Sequence, residues 1–413
     1  MEIFDTTSIE LAVNTMYAAP EFKTVSNKKW VAYIDTDGLQ YPEKLQYYKN
    51  NSALHGALVK NIARQYAGAG LVIADASVDA TLVANTNSFL DNINAKGEDA
   101  NELLGKMAYD FKLYGGFAVA VVWAKDYSKI VSVEHVDFSK LRVGICDAEG
   151  NVPGFYYAWS WKSQRPETIF IPAFSEKVAS EQNSKYKELK SALDLGNNNL
   201  DKMTEFFSAP TTQILYYKPY ESGSFYYPYP DYVGGINAIL ANILIDQYGV
   251  SSMENGLTVD YIVKFIGNYD EASKIKEAQA FLKQHANALK KRRPIIAFAK
   301  DKDTMMQIDN ISGINEDKSY TKINENSISE IVMSHSVTSP LLVGIKTPGQ
   351  LGGGQELIDA EVIFYKNTIA PGQNTLAKVF NKILKINKLA DVKVEKLSVL
   401  NVNSEIANEQ QNN

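Results

Sequence analysis

The chain has 413 residues, 45% of them hydrophobic and 22% charged, which excludes a wholly disordered protein and provides for one large core or two connected ones. Its formal net charge of −6 argues against a surface built to grip nucleic acid, because such surfaces gain affinity by setting clustered Lys and Arg against phosphates. No run approaches the ~20 uncharged apolar residues that span a bilayer, and Glu2, Asp5 and Glu10 stand where a signal peptide would be basic, so the protein is expected to stay where it is made, without a membrane.

The first residues look irregular, with Trp30 to Ile34 a short strand candidate before the turn signal Asp35-Thr36-Asp37-Gly38. From Pro42 the pattern is helical: Leu54, Leu58, Ile62 and Tyr66 form one apolar stripe, and Gly68 and Gly70 end it. Leu103, Leu104, Met107, Phe111 and Tyr114 predict a second helix closed by Gly115-Gly116. A hairpin follows, Phe117 to Ala124 and Lys129 to Val133, joined by the polar Lys125-Asp126-Tyr127-Ser128. Cys146, the single cysteine, excludes an intrachain disulfide and a cysteine-rich zinc site, and it reads as a small buried hydrophobe ending the apolar run from Val143. The alternation of Phe155, Tyr157, Trp159 and Trp161 predicts four rings on one sheet face, with packing preferred over a carbohydrate or base platform. Ser175 to Phe207 is polar and helical, interrupted at 196–199. Gln213 to Tyr217 reads as a strand, and Phe225 to Pro230 as an irregular joint.

From Gly235 a strong apolar stripe, Ile236 to Tyr248, runs on toward Leu257 and predicts a helix of about 20 residues, hence ~30 Å. A strand over Thr258 to Ile266, a charged helix over Glu271 to Lys291, a strand over Pro294 to Ala299 and a helix over Ile323 to Ser334 follow. A glycine loop, Lys346 to Gly354, leads into a helix over Glu356 to Ile386 kinked at Pro371. The polar tail Asn401 to Asn413 is expected to be disordered.

Local chemistry is sparse. His55, His135, His285 and His335 lie far apart in sequence without metal-ligand spacing, and each reads as a structural or surface histidine. No catalytic residue, metal or cofactor is assigned. Gly349-Gln350-Leu351-Gly352-Gly353-Gly354 precedes a helix but lacks the Gly-Lys-Ser/Thr of a phosphate loop, and Glu356 would repel an anion, so mobility is its better use. Lys290-Lys291-Arg292-Arg293 complements a helix C-terminus and doubles as a partner-docking candidate.

The order of these elements resembles the portal proteins of tailed bacteriophages, from about Tyr47 to Ile386. The resemblance rests on Tyr48-Lys49-Asn50-Asn51-Ser52-Ala53-Leu54 running to Ile62-Ala63, and on Phe111-Lys112-Leu113-Tyr114-Gly115-Gly116-Phe117-Ala118-Val119. It rests further on Ser334-His335-Ser336-Val337-Thr338-Ser339-Pro340-Leu341-Leu342-Val343-Gly344, followed by the glycine loop, Glu356 to Phe364 and Thr368-Ile369-Ala370-Pro371. It implies an α+β portal-like fold: a wing at 1–233, a stem helix at 234–257, a clip at 258–311 and a returning stem helix at 312–343. A tunnel loop at 344–354, a long wing and crown helix at 355–386 and a short crown or disordered tail at 387–413 would complete it. Lys346, Thr347, Gly349, Gln350, Gly352, Gly353 and Gly354 would face double-stranded DNA in the channel. Lys290, Lys291, Arg292 and Arg293 would dock partners on the clip. The implied assembly is a dodecameric ring at one capsid vertex of the virion, assembled in the host cytoplasm, that meets the terminase large subunit, the major capsid protein and a head-completion adaptor. The alternatives are another structural virion protein or a phage-encoded hydrolase with a scattered site.

Overall fold

The computed structural model describes residues 29–34, 40–163, 165–195, 200–255, 262–266, 273, 276, 280, 295–299, 316–343 and 354–397. Two compact units divide the chain: Met1–Asn237 together with Glu330–Asn413, and Ala238–Ser329, which is inserted in the sequence of the first.

In the first unit the helical pattern from Pro42 resolves into α1 (Tyr41–Asn51) and α2 (Ala53–Ala67). Ser52 divides them: its extended backbone closes α1 through a bond to Tyr48 O, while its side chain accepts from His55 N and caps α2. The buried stripe of α2 is His55, Leu58, Val59, Ile62 and Tyr66, one position off the expected Leu54. β1 (Leu71–Ile73), α3 (Ala80–Asp91) and α4 (Ala100–Tyr114) follow, and α4 packs on α2. Asp79 and Asp99 cap the two later helices by accepting from backbone N–H groups of the first turn. Gly115 ends α4 in the left-handed conformation, φ 82°, and a Cβ there would lie 2.2 Å from Tyr229 O, so both conformation and space require glycine.

The expected hairpin is β2 (Phe117–Trp123) and β3 (Ile130–Val136), antiparallel, with β7 (Thr212–Tyr217) on the other edge of β2. A second sheet orders β4 (Leu141–Val143), β5 (Gly154–Tyr157) and β6 (Ile169–Pro172). The four-ring face does not form. β5 stops at Tyr157 because β4 begins only at Leu141, after a turn over Phe138–Lys140, and no ladder remains for the residues beyond. Phe155 is buried against Tyr216, Trp161 donates Nε1–H to Lys140 O from outside the sheet, and Trp159 is 79% exposed.

Trp30 to Ile34 makes single bridges to Gly144 and Gln40 instead of a strand. Tyr33 stacks on Tyr227 at 3.9 Å, and Tyr227 donates to Val31 O and accepts from Val143 N, which fixes the irregular joint 225–230 as a core contact. Cys146 is half-buried, not sealed, with Sγ 3.1 Å from Tyr226 Oη. α5 (Glu176–Asp194) and α6 (Leu200–Ser208) supply the expected polar helices on either side of 196–199.

The C-terminal part of this unit holds α9 (Gly354–Phe364), a π-helical turn (Tyr365–Ile369) and α10 (Ala370–Ile386). The kink expected at Pro371 is therefore a local unwinding just before it. Proline has no N–H to donate and its ring crowds the carbonyl four residues back, so the preceding turn widens. β10 (Val392–Val394), which nothing in the sequence announces, pairs antiparallel with β1.

Within the second unit, α7 (Ile236–Asn255) and α8 (Glu316–Ser334) contribute residues 238–255 and 316–329, joined by a stack of Tyr248 on Tyr320 at 4.9 Å. β8 (Ile262–Ile266) and β9 (Ile295–Ala299) pair in parallel, and Ser273, Lys276 and Ala280 are helical and exposed. The rest of Glu271 to Arg293 and the tail Asn401 to Asn413 lie outside the described residues. Among the described residues no helix is long and apolar enough to cross a membrane.

Candidate functional site

Of the sequence-predicted site residues, Lys346, Thr347, Gly349, Gln350, Gly352 and Gly353, and likewise Lys290, Lys291, Arg292 and Arg293, lie outside the described residues. Gly354 is the first residue of α9 and not part of a loop. The described flanks of 344–353 are built from the ends of α8 and α9. Beyond Ser334 the chain closes α8 with Ser336 N–H to Met333 O and Val337 N–H to Val332 O, Ser336 being left-handed at φ 57°. Thr338 Oγ1 then donates to Ala360 O at 2.6 Å, and Thr368 Oγ1 to Ser336 O at 3.3 Å, tying the stretch before 344 to the helix after 353.

Both flanks border one cavity of about 430 Å3, lined by Leu341 and Leu342 on one side, Leu357 and Phe364 on the other, and Arg64 and Lys396 among its polar residues. The π-helical turn belongs to its wall. Tyr365 donates to Gln373 Oε1 along the same helical run, and the buried Gln373 donates to Gln65 O, so one side chain ties this turn to α2 while a second orients it. Pro340–Val343, the last described residues before 344, form a short 3-10 helix.

Directly behind the end of α8 lies a sealed polar junction. His55 Nδ1 and His335 Nε2 are 2.9 Å apart, one donating to the other, and both rings are fully buried. Tyr232 stacks on His335 at 5.0 Å and meets His55 edge-on at 4.5 Å, with its hydroxyl donating to Leu113 O. Lys112, also buried, donates to both carboxylate oxygens of Asp231 at 2.8 and 2.7 Å. Burial, then the positive charges of Lys112 and Lys49, bring the pKa of His55 down to about 3; burial, then Lys112 and His55, hold His335 well below the usual histidine value. Burial likewise lowers Lys112, against the pull of Asp231.

On another face, an open cleft bordered by Glu98, Glu102, Lys106 and Tyr109 contains Asp110 and His135. His135 Nε2 donates to Asp110 Oδ2 at 2.8 Å, and Phe138 N–H donates to the same oxygen. Burial raises the Asp110 pKa, opposed by His135. A histidine and carboxylate so paired can relay or hold a proton. Among the described residues no group of three or more His, Cys, Asp or Glu side chains is placed to hold a metal ion. Spacing along the chain hides all three pairings. The usable signal was a polar residue inside an apolar stripe, as with His55 in α2 and Lys112 in α4, since such a residue must find a partner when buried.

No family model matches the chain, and no curated protein matches it. Solved structures do. The fold is one found in gene transfer agent particles. A chain of "Neck of empty GTA particle computed with C6 symmetry" superposes with a TM-score of 0.51 at 13% identity, covering 97% of this chain and 92% of that one. A chain of "Virion of native gene transfer agent (GTA) particle" gives 0.50 at 12% identity, covering 98% and 93%. The likeness runs through both units and is one of architecture, since so few residues are shared.

Proposed function

We propose that this chain is a structural subunit of a phage-like virion and, more finely, its portal: a ring at one capsid vertex through which double-stranded DNA is packaged and ejected. The observation that carries this reading is the match of nearly the whole chain to nearly the whole of a chain from a particle neck, a neck computed with C6 symmetry. The paired helices and small parallel strand pair of 238–329 suit a stem and clip, and the bond of Thr338 to Ala360, which joins the described flanks of 344–353, suits a tunnel loop between them. An acidic chain suits a channel along which a duplex must slide. On this reading Lys346 and Gln350 touch phosphate, and Lys290 to Arg293 steer a separate packaging ATPase, the terminase large subunit, or later the head-completion adaptor. The capsid protein surrounds the ring, typically a dodecamer. Negative-stain electron microscopy and native mass spectrometry of the purified full chain test it: rings with a central channel are expected. Monomer alone across a wide concentration range, or closed shells, would overturn it.

A further inference from the structure

The two buried histidines invite a question that the ring reading does not answer. His335 is the first residue past α8, and its ring, wedged against Tyr232, reaches His55 in the first turn of α2, 280 positions away in sequence. One hydrogen bond therefore joins the exit of α8 to the start of α2. It exists only when one facing nitrogen carries a hydrogen and the other does not.

The surroundings make that condition strict. Facing the pair are Lys112 from α4, Lys49 from α1 and the ring of Tyr232, which precedes α7, with Asp231 and the phenols of Tyr41, Tyr109 and Tyr114 around Tyr232. The carboxylate of Asp231 is taken by both its oxygens to Lys112. The outward nitrogens, His55 Nε2 and His335 Nδ1, are buried without a hydrogen-bond partner. One added proton would place a cation next to Lys112 with no carboxylate to spare. A second would leave two N–H donors pointing at each other.

We propose that the His55–His335 contact is a proton-operated latch that fixes the path of residues 335–343, closed while both rings are neutral and opened by the uptake of two protons. The depressed pKa values of both rings agree with this, since they describe a junction that excludes protons while it is closed. What the latch holds is defined by the neighbouring bonds: the left-handed Ser336, the Thr368 bond to Ser336 O and the Thr338 bond to Ala360 O all follow within a few residues. The inference stands apart from ring assembly, because it concerns contacts inside one unit of one chain.

Once the latch is open, each imidazole recovers a pKa near 6.5, so below that value opening gains about tenfold per pH unit for each histidine, or about a hundredfold per unit for the pair. Hydrogen exchange of the full chain, followed by mass spectrometry on peptides covering 331–343 and corrected for intrinsic exchange rates, reads this directly. Protection should fall between pH 6.5 and 4.5 with a slope approaching two protons. His335→Gln, which keeps an amide acceptor for His55 but cannot be protonated, should reduce the slope to about one, and His55→Gln provides the same reading if the first variant does not fold. Protection of 331–343 that does not change with pH in the unaltered protein, or an undiminished slope in the folded glutamine variant, would overturn the proposal.

Discussion

Helix α4 carries two buried charged residues, Asp110 and Lys112, and the chain treats them differently. Two residues apart on a helix, they point about 160° away from each other, so they belong to different sites. Lys112 faces the sealed junction and depends on Asp231, whose side chain is 44% exposed. Asp110 faces the open cleft and depends on His135 and one backbone N–H. A buried charge thus persists on either side of α4 only because a better-solvated partner comes to it, and the partner decides what acid does. For the neutral pair of the junction, the unfolded chain binds more protons between the depressed native pKa values and 6.5. Stability from that site is complete above 6.5 and falls as pH drops through this window. For Asp110, whose pKa is raised, the folded state binds the extra proton, and stability from that site rises as pH drops through the native pKa.

The largest break in this comparison is Asp231→Ala. It strands Lys112 as a buried, uncompensated charge and should cost about 3 kcal/mol in urea unfolding at neutral pH. Lys112→Met leaves only a half-exposed carboxylate and should cost clearly less; equal costs would mean that the pair, and not the stranded lysine, sets the penalty. Asp110→Asn comes next, at about 1.5 kcal/mol for a hydrogen bond to a charged acceptor. It should also abolish the acid-side gain in stability, which unfolding curves across a pH series would show. Smallest is Lys96→Ala, which removes the ion pair to Glu134 across the surface of β3, side chains 64% and 30% exposed. It should stay within about 0.5 kcal/mol and vanish at high salt. A larger loss would show that solvent exposure does not discount this pair.

Legibility in the sequence followed the same division between local and distant. The run from Leu103 to Val133 was readable because helix period, a left-handed glycine and β-branched alternation each announce themselves within a few residues. The aromatic alternation misled from Trp159 on, since it says nothing of how far the neighbouring strand extends; β4 is three residues long. The one-residue break at Ser52 was missed because the pattern was read as helical from Pro42 onward, although a serine three residues before the buried His55 is a capping signal. His55 with His335, Lys112 with Asp231 and Asp110 with His135 could be found only from the fold. The glycine segment and the basic run were read from local sequence and from the resemblance, and apart from Gly354 both lie outside the described residues.

The pairing of β1 with β10 carries one more consequence. Leu71 meets Val394, and Gln65 meets Gln373, so the first unit is held together by pairings between residues more than 300 positions apart, with 238–329 inserted in its sequence. During synthesis at about 5–20 residues per second, β1 waits roughly 16–65 s for its partner to be made. Throughout that interval the apolar face of α2 is without the α10 residues that later cover it, including Gly372, which abuts Tyr66. Contacts this distant also slow the search after release. A nascent chain of this kind exposes that face to wrong partners until α10 is made, so its yield in a cell should depend on chaperone supply and translation speed as well as on the stability of the finished fold.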